Sequence, residues 1–113
     1  MTGLQLLTTH QDISLAELTG QIQKDLILSG IAPDYFNGID SGEILLQRLE
    51  HFIQDMLSYS PSDFDRFMYR VDIAEKDFSG LTTTDLTMLV EHIVLLVLKR
   101  EIQKIIFRKQ FSQ

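Results

Sequence analysis

The sequence contains no cysteine, and only two prolines and six glycines among its 113 residues. Without cysteine the chain cannot form a disulfide, a thiolate nucleophile, a zinc finger or an iron–sulfur cluster. So little proline and glycine excludes collagen-like and low-complexity classes, and a hydrophobic content of 44% excludes an intrinsically disordered chain. Length and composition together indicate a single globular domain.

Long apolar runs are also missing. A membrane span needs about 20 predominantly apolar residues, whereas the most apolar stretch, 86–98, is interrupted by Glu91 and His92. The first seven residues lack the basic segment of a secretory signal. We therefore expect a cytoplasmic protein that does not associate with a membrane.

Basic residues are few and unevenly placed, with a formal net charge of −6 overall. An acidic chain is repelled by phosphate backbones, so nucleic acid is an unlikely partner. Residues 99–113 nevertheless hold five of the ten bases and one acid, and Arg100, Lys104 and Arg108 share a face at i, i+4 spacing. These cations either complement the helix dipole and pair with the acidic body, or form a docking face for an acidic partner or anionic polymer.

Helix-start signals recur along the chain. Ser14 with Glu17 forms a capping box, Asp40 with Glu43 repeats that spacing, and a Ser-Pro pair at 60–61 makes a third start. Gly30 is placed to end the first helix in a left-handed conformation. With the apolar periodicity, these signals predict helices over 15–29, 41–58 and 61–71. The segment 31–40 is predicted to be a loop whose Tyr35 and Phe36 enter the core.

A long last helix is predicted over 83–110, starting between Thr82 and Asp85. The segment 93–98 resembles a buried strand on local composition, but its flanks favour helix. Two alternatives stay open for 72–80: Asp72 caps a short fourth helix, or the third helix continues through a bend. The predicted fold is an all-α bundle of four to five helices with a long C-terminal central helix. Residues 1–12 are interpreted as an N-terminal tail and 13–113 as one helical domain.

Beyond residue 98 the last helix keeps one narrow apolar stripe, which we expect to lack cover from its own chain. The stripe consists of Ile102, Ile105 and Ile106, with Phe111 beyond them. Antiparallel pairing with a second copy would bury it, and twofold dimers are the commonest soluble oligomers. The sequence therefore predicts a homodimer.

Motifs for catalysis or metal binding are missing. There is no GxSxG elbow, Walker loop, HExxH or ExxH sequence. His51 and Asp55 have ligand spacing, but a metal site needs further converging ligands. Most of the carboxylates fall at helix starts, where they stabilise the dipole. We expect neither an enzyme nor a metal site nor a cofactor.

The most distinctive string is the polar turn Tyr69-Arg70-Val71-Asp72-Ile73-Ala74-Glu75-Lys76. With the basic segment 100–109, it resembles small bacterial all-helical proteins of uncharacterised function, over roughly residues 64–111. That resemblance implies no activity. On physical grounds we expect Arg70 and Asp72 to pair across the turn, and Arg100 or Lys104 to face Asp72 or Glu75.

Taken together, these features favour a non-catalytic helical interaction protein that associates with itself through the last helix. An unidentified protein partner is compatible with the same features. The alternative is an anion- or nucleic-acid-binding accessory protein that uses the basic face of that helix.

Overall fold

A computed structural model describes residues 2–10, 12–79 and 85–111. The predicted all-α class is confirmed, since the described residues contain helices and no strand. The last helix contacts four of the others and is therefore central. The elements are α1 (Gly3–Thr9), α2 (Leu15–Leu28), a 3-10 turn (Pro33–Phe36), α3 (Gly42–Tyr59), α4 (Pro61–Val71), α5 (Lys76–Ser79) and α6 (Leu86–Phe111).

Local signals fix both ends of α2. The Ser14 hydroxyl accepts the backbone N–H of Glu17 at 3.0 Å, and the Glu17 carboxylate accepts the N–H of Ser14 at 3.2 Å. This is the predicted capping box, which satisfies two N–H groups that have no partner within the helix. At the other end Gly30 has φ of 77°, the left-handed conformation that glycine adopts at little cost.

The start of α3 differs from the prediction by one residue. Ser41 is the N-cap, and its hydroxyl accepts the N–H of Ile44 at 3.2 Å. Asp40 is therefore not the cap, because the shorter serine one position later reaches the first turn. At the start of α4, Ser60 occupies the cap position and Pro61 the first helical position, as predicted, although the Ser60 side chain makes no capping hydrogen bond.

The segment interpreted as an N-terminal tail contains α1. Thr2 and Gln5 form a capping box, with the Gln5 N–H 3.1 Å from the Thr2 hydroxyl and the Thr2 N–H 2.8 Å from the Gln5 amide oxygen. Leu6 is buried and joins the core, where α1 packs against α3 and α6. A helix this short is marginal alone, so that packing stabilises it.

The region after α4 forms a separate short helix, but Asp72 does not cap it. Asp72 has φ of 74° and ends α4 in the left-handed conformation, which aspartate tolerates better than most residues.

The predicted cap region of α6 lies partly outside the described residues, at 82–84. Asp85 is a described residue of this region, and its carboxylate accepts the N–H of Thr87 at 2.9 Å. Residues 93–98 are helical, so the strand alternative is wrong.

Four aromatic rings join the loop to the helices. Tyr35 and Phe36 of the 3-10 turn lie 5.3 and 5.6 Å from the Phe52 ring of α3, between ring centroids, which confirms that this loop enters the core. Phe52 in turn meets Phe67 of α4 edge to face at 5.4 Å. Such aromatic pairs stabilise by about 0.5–1.5 kcal/mol beyond the area they bury.

We expect Phe67→Ala to lower the free energy of unfolding by about 3–5 kcal/mol, because it opens a cavity at a fully buried ring. Tyr69→Ala is a matched control two residues further on, since the Tyr69 side chain is 79% exposed. That variant should stay within about 0.5 kcal/mol of the native protein. Urea denaturation measures both, and equal losses would contradict the core assignment of Phe67.

Candidate functional site

The predicted basic face of α6 turns toward its own chain. Arg100 donates to the Asp72 carboxylate at 2.7 Å, and Lys104 donates to the Asp25 carboxylate at 2.7 Å. Arg108 donates to the Gln21 amide oxygen at 2.8 Å. The first of the two interpretations, pairing with the acidic body, therefore describes Arg100 and Lys104, whereas Arg108 binds a neutral side chain of the same chain.

Lys109 is also engaged within the chain. Its ammonium lies 2.8 Å from the Glu17 carboxylate and donates to the backbone oxygen of Asp12 at 3.1 Å. The hydrogen bond from Lys109 is the largest cause that lowers the pKa of Glu17, followed by the backbone hydrogen bond from Ser14. The helix cap of α2 and the distal end of α6 thus share one carboxylate.

A buried ionic cluster lies where α2, α4 and α6 meet, and it consists of Asp25, Glu101 and Lys104. Glu101 has no exposed surface and Asp25 is only 3% exposed. The Lys104 ammonium lies 2.7 Å from Asp25 Oδ2 and 3.0 Å from Glu101 Oε1. It also donates to the backbone oxygen of Arg70 at 3.0 Å, so one cation contacts all three helices.

Glu101 is neutral at physiological pH. Its pKa is raised from the ordinary 4.5 to about 9, first by burial and then by the neighbouring Asp25, while Lys104 opposes the shift only in part. The cluster therefore holds one ion pair, Asp25 with Lys104, beside an uncharged carboxyl group. Because Glu101 has no exposed surface and Lys104 contacts three helices, this arrangement holds the helices in position.

The sequence contains a signal for this cluster, in the form of acids at apolar positions of two helices. Glu101 lies three residues after Leu98 and four before Ile105, inside the apolar stripe of α6. Asp25 likewise directly precedes Leu26 on the buried side of α2. An acid at a core position of an amphipathic helix indicates either a buried pair or a functional group.

The polar turn is built differently from the prediction. Asp72 pairs with Arg100, as one of the expected options had it, whereas Arg70 contributes its backbone oxygen to Lys104. The Asp72 carboxylate thus pairs with α6, and Glu75 is exposed. Because the Asp72 side chain is 74% exposed, its ion pair adds little stability.

The apolar stripe of α6 is covered by its own chain, contrary to expectation. Ile102 is 3% and Ile105 is 0% exposed, and Ile106 is half-buried against the core. Packing of α6 against α1, α2, α3 and α4 supplies this cover. Only the three isoleucines are covered, because Phe111 at the end of the stripe stays 73% exposed and the neighbouring Phe107 63% exposed.

An open apolar cleft of about 380 Å³ lies on another side of the molecule. Its walls come from α1 and from the first turns of α2 and α3, and Ile102 of α6 closes one part. We call it the N-terminal cleft. Its apolar lining consists of Leu4, Leu7, Ile13, Leu15, Leu18 and Ile102.

The residues with metal-ligand spacing do not converge. Asp55 accepts a hydrogen bond from the Tyr35 hydroxyl at 3.4 Å, and His51 is exposed. Across residues 2–10, 12–79 and 85–111, histidine, aspartate and glutamate side chains nowhere form a group of three that could hold a metal ion. In the same residues, no helix combines the length and hydropathy that a membrane span requires.

No protein-family model, curated protein or solved structure matches the chain. The resemblance of residues 64–111 to small bacterial helical proteins therefore stays a prediction.

We expect Glu101→Gln to stabilise the protein, and increasingly so as the pH rises. The folded-state pKa of about 9 exceeds the ordinary value of 4.5, so the native chain loses stability across that range as pH increases. The glutamine amide has nearly the same shape as the Glu101 carboxyl group and cannot ionise. The advantage of the variant should grow by on the order of 1 kcal/mol per pH unit, as urea denaturation between pH 5 and 9 would show. An advantage that does not vary with pH would mean that Glu101 is ionised.

We expect Lys104→Met to cost about 2–4 kcal/mol at neutral pH, because it leaves the buried Asp25 carboxylate without its cation. Lys99→Met is the control, since Lys99 is exposed on the same helix and should change stability by less than about 0.5 kcal/mol. The double variant Asp25→Asn, Lys104→Met should recover part of the loss in thermal or urea unfolding. No recovery would show that the Lys104 stem, and not its charge, supplies the stability.

Proposed function

We propose that this chain is a small, non-catalytic, cytoplasmic interaction protein that self-associates through the distal end of α6. The observation that carries this proposal is the exposed aromatic pair Phe107 and Phe111. The two rings lie 4.7 Å apart between centroids, one helical turn apart, and both remain largely in solvent. Aromatic side chains are enriched where proteins meet, since they bury much area at little entropic cost.

The helix stripe that carries this pair has no charged residue, although the exposed Arg108 lies directly beside Phe107. Gln103, Phe107, Gln110 and Phe111 follow one another at helical spacing, and we call this stripe the distal aromatic face. All four side chains are exposed. Burying such a face against a second copy removes apolar area from water without desolvating a charge.

The flanking cations also permit self-association. Arg100, Lys104 and Lys109 border this end of α6, and unpaired like charges would repel each other across a twofold axis. Each lies within 3.0 Å of a carboxylate of the same chain, which offsets that repulsion. The proposal therefore places the contact at Phe111, the last member of the predicted stripe, and at Phe107, both of which are exposed.

The same contacts give the anion-binding alternative less support. Arg100, Lys104 and Arg108 would have to leave partners at 2.7–2.8 Å to reach a phosphate. The net charge of −6 adds repulsion. A labelled oligonucleotide titrated at low salt separates the two candidates, and we expect no binding.

We expect sedimentation equilibrium at micromolar concentrations to give twice the 13.0 kDa chain mass. The double variant Phe107→Ser, Phe111→Ser should weaken the dimer at least tenfold, because each buried aromatic contributes about 1.5–3 kcal/mol. Met88→Ser is the matched control, since Met88 is 58% exposed at the opposite end of α6. A native protein that stays monomeric up to high micromolar concentrations, or a double variant that dimerises like the native chain, would refute the proposal.

A further inference from the structure

The N-terminal cleft has the form of a small-molecule site. Leu18 and Ile102, at 2% and 3% exposure, close its floor. Its volume of about 380 Å³ falls at the small end of the range for ligand pockets, roughly 300–1,000 Å³. It is therefore large enough for a short chain molecule and small for a protein segment.

The walls of the cleft remain incompletely covered by the protein itself. Leu4 of α1 is 46% exposed, and Leu7, Ile13 and Leu15 are half-buried. These aliphatic side chains come from two elements and face a shared space. A ligand that fills the space would remove this apolar surface from water, which is the driving force for apolar binding.

Gly42, at the start of α3, keeps the cleft open next to Leu7. A Cβ at this position would lie 3.1 Å from Leu7 Cδ1, closer than ordinary van der Waals contact. Any side chain here would therefore push into Leu7 and narrow the space. Because residue 42 is glycine, no side chain fills this part of the cleft.

The polar groups around the cleft are mostly engaged already. The Ser14 and Ser41 hydroxyls accept the N–H groups of Glu17 and Ile44, and the Thr8 hydroxyl donates to the Leu4 backbone oxygen at 2.7 Å. The lining also includes His10, which is half-buried, and Glu43, which is exposed, so a polar group of a ligand would meet these two side chains. Recognition of an apolar group comes from the apolar lining residues, all of which are leucine or isoleucine, and the imidazole of His10 is the one ring among the described lining residues.

We infer that the N-terminal cleft binds the alkyl chain of a small amphipathic molecule, whose polar head stays at the mouth in water. Flexible aliphatic walls conform to a methylene chain, and the described lining contains no phenylalanine, tyrosine or tryptophan ring on which a planar ligand would stack. The alkyl chain of the ligand can belong to a free carboxylic acid or to a neutral molecule, and the test distinguishes these two sources.

The test is a titration of the native protein with 1-hexanol, 1-octanol and octanoate, followed through the methyl resonances of leucine and isoleucine. We expect saturable shifts at Leu7, Leu15, Leu18 and Ile102, and none at Leu28. Affinity should rise about fourfold per methylene from hexanol to octanol. Tighter octanoate binding would identify a carboxylic acid as the source of the chain, and tighter octanol binding a neutral molecule.

Two variants that fill the cleft, Leu7→Trp and Leu15→Trp, should each weaken octanol binding at least tenfold. Met88→Trp is the control at an exposed position outside the cleft, and it should bind as the native chain does. Circular dichroism checks that each variant is folded, and having two variants protects the test if one is not. Absence of saturable shifts up to the solubility limit, shifts scattered over distant methyls, or native-like binding by both filled variants would overturn the inference. The Phe107→Ser, Phe111→Ser variant should still bind octanol, which separates this outcome from that of self-association.

Discussion

The position of α6 in the bundle depends on one ammonium group. Lys104 Nζ lies within 3.0 Å of Asp25 on α2, of Glu101 on α6 and of the Arg70 backbone oxygen on α4. Apolar packing is not directional, whereas these contacts are. A slip of α6 by one turn would move Lys104 about 5.4 Å along the helix and leave buried charges without partners. The cluster therefore fixes the register among three helices, even though buried ion pairs add little net stability.

The neutrality of Glu101 follows from the same arrangement. One cation between two buried carboxylates can balance only one of them. The second is favoured as the acid, first because burial disfavours its charged form and then because its charge would repel Asp25. The protonated group can then donate where a carboxylate could only accept. The register is thus set by a single ion pair beside one uncharged carboxyl group.

Local features of this fold could be predicted from the sequence, and long-range features could not. The bounds of α2, α3 and α4 agree with prediction to within one residue, because caps and apolar periodicity act over a few neighbouring positions. The pairing of Asp25 with Lys104 joins residues 79 apart, and no helical pattern encodes it.

The same difference in range explains the errors at the candidate site. Ile102 and Ile105 form a narrow stripe in sequence, and whether other helices cover it depends on how the bundle closes. Helix α1 shows the reverse case. The capping signal of α1, Thr2 with Gln5, is local and predicts a helix start. A helix of seven residues is too short, however, for the spacing of its apolar residues to distinguish it from an unstructured tail.

Both proposed contacts use the same end of α6 but different sides of it. Ile102 in the floor of the cleft and Phe107 of the distal aromatic face are five residues apart, which on an α-helix corresponds to a rotation of about 140°. Helix α1 lines the cleft, and neither Phe107 nor Phe111 does. A molecule in the cleft would therefore leave the aromatic pair in place, and self-association would leave the mouth of the cleft open. The two sites are independent unless binding shifts α6 itself, which the Lys104 contacts oppose.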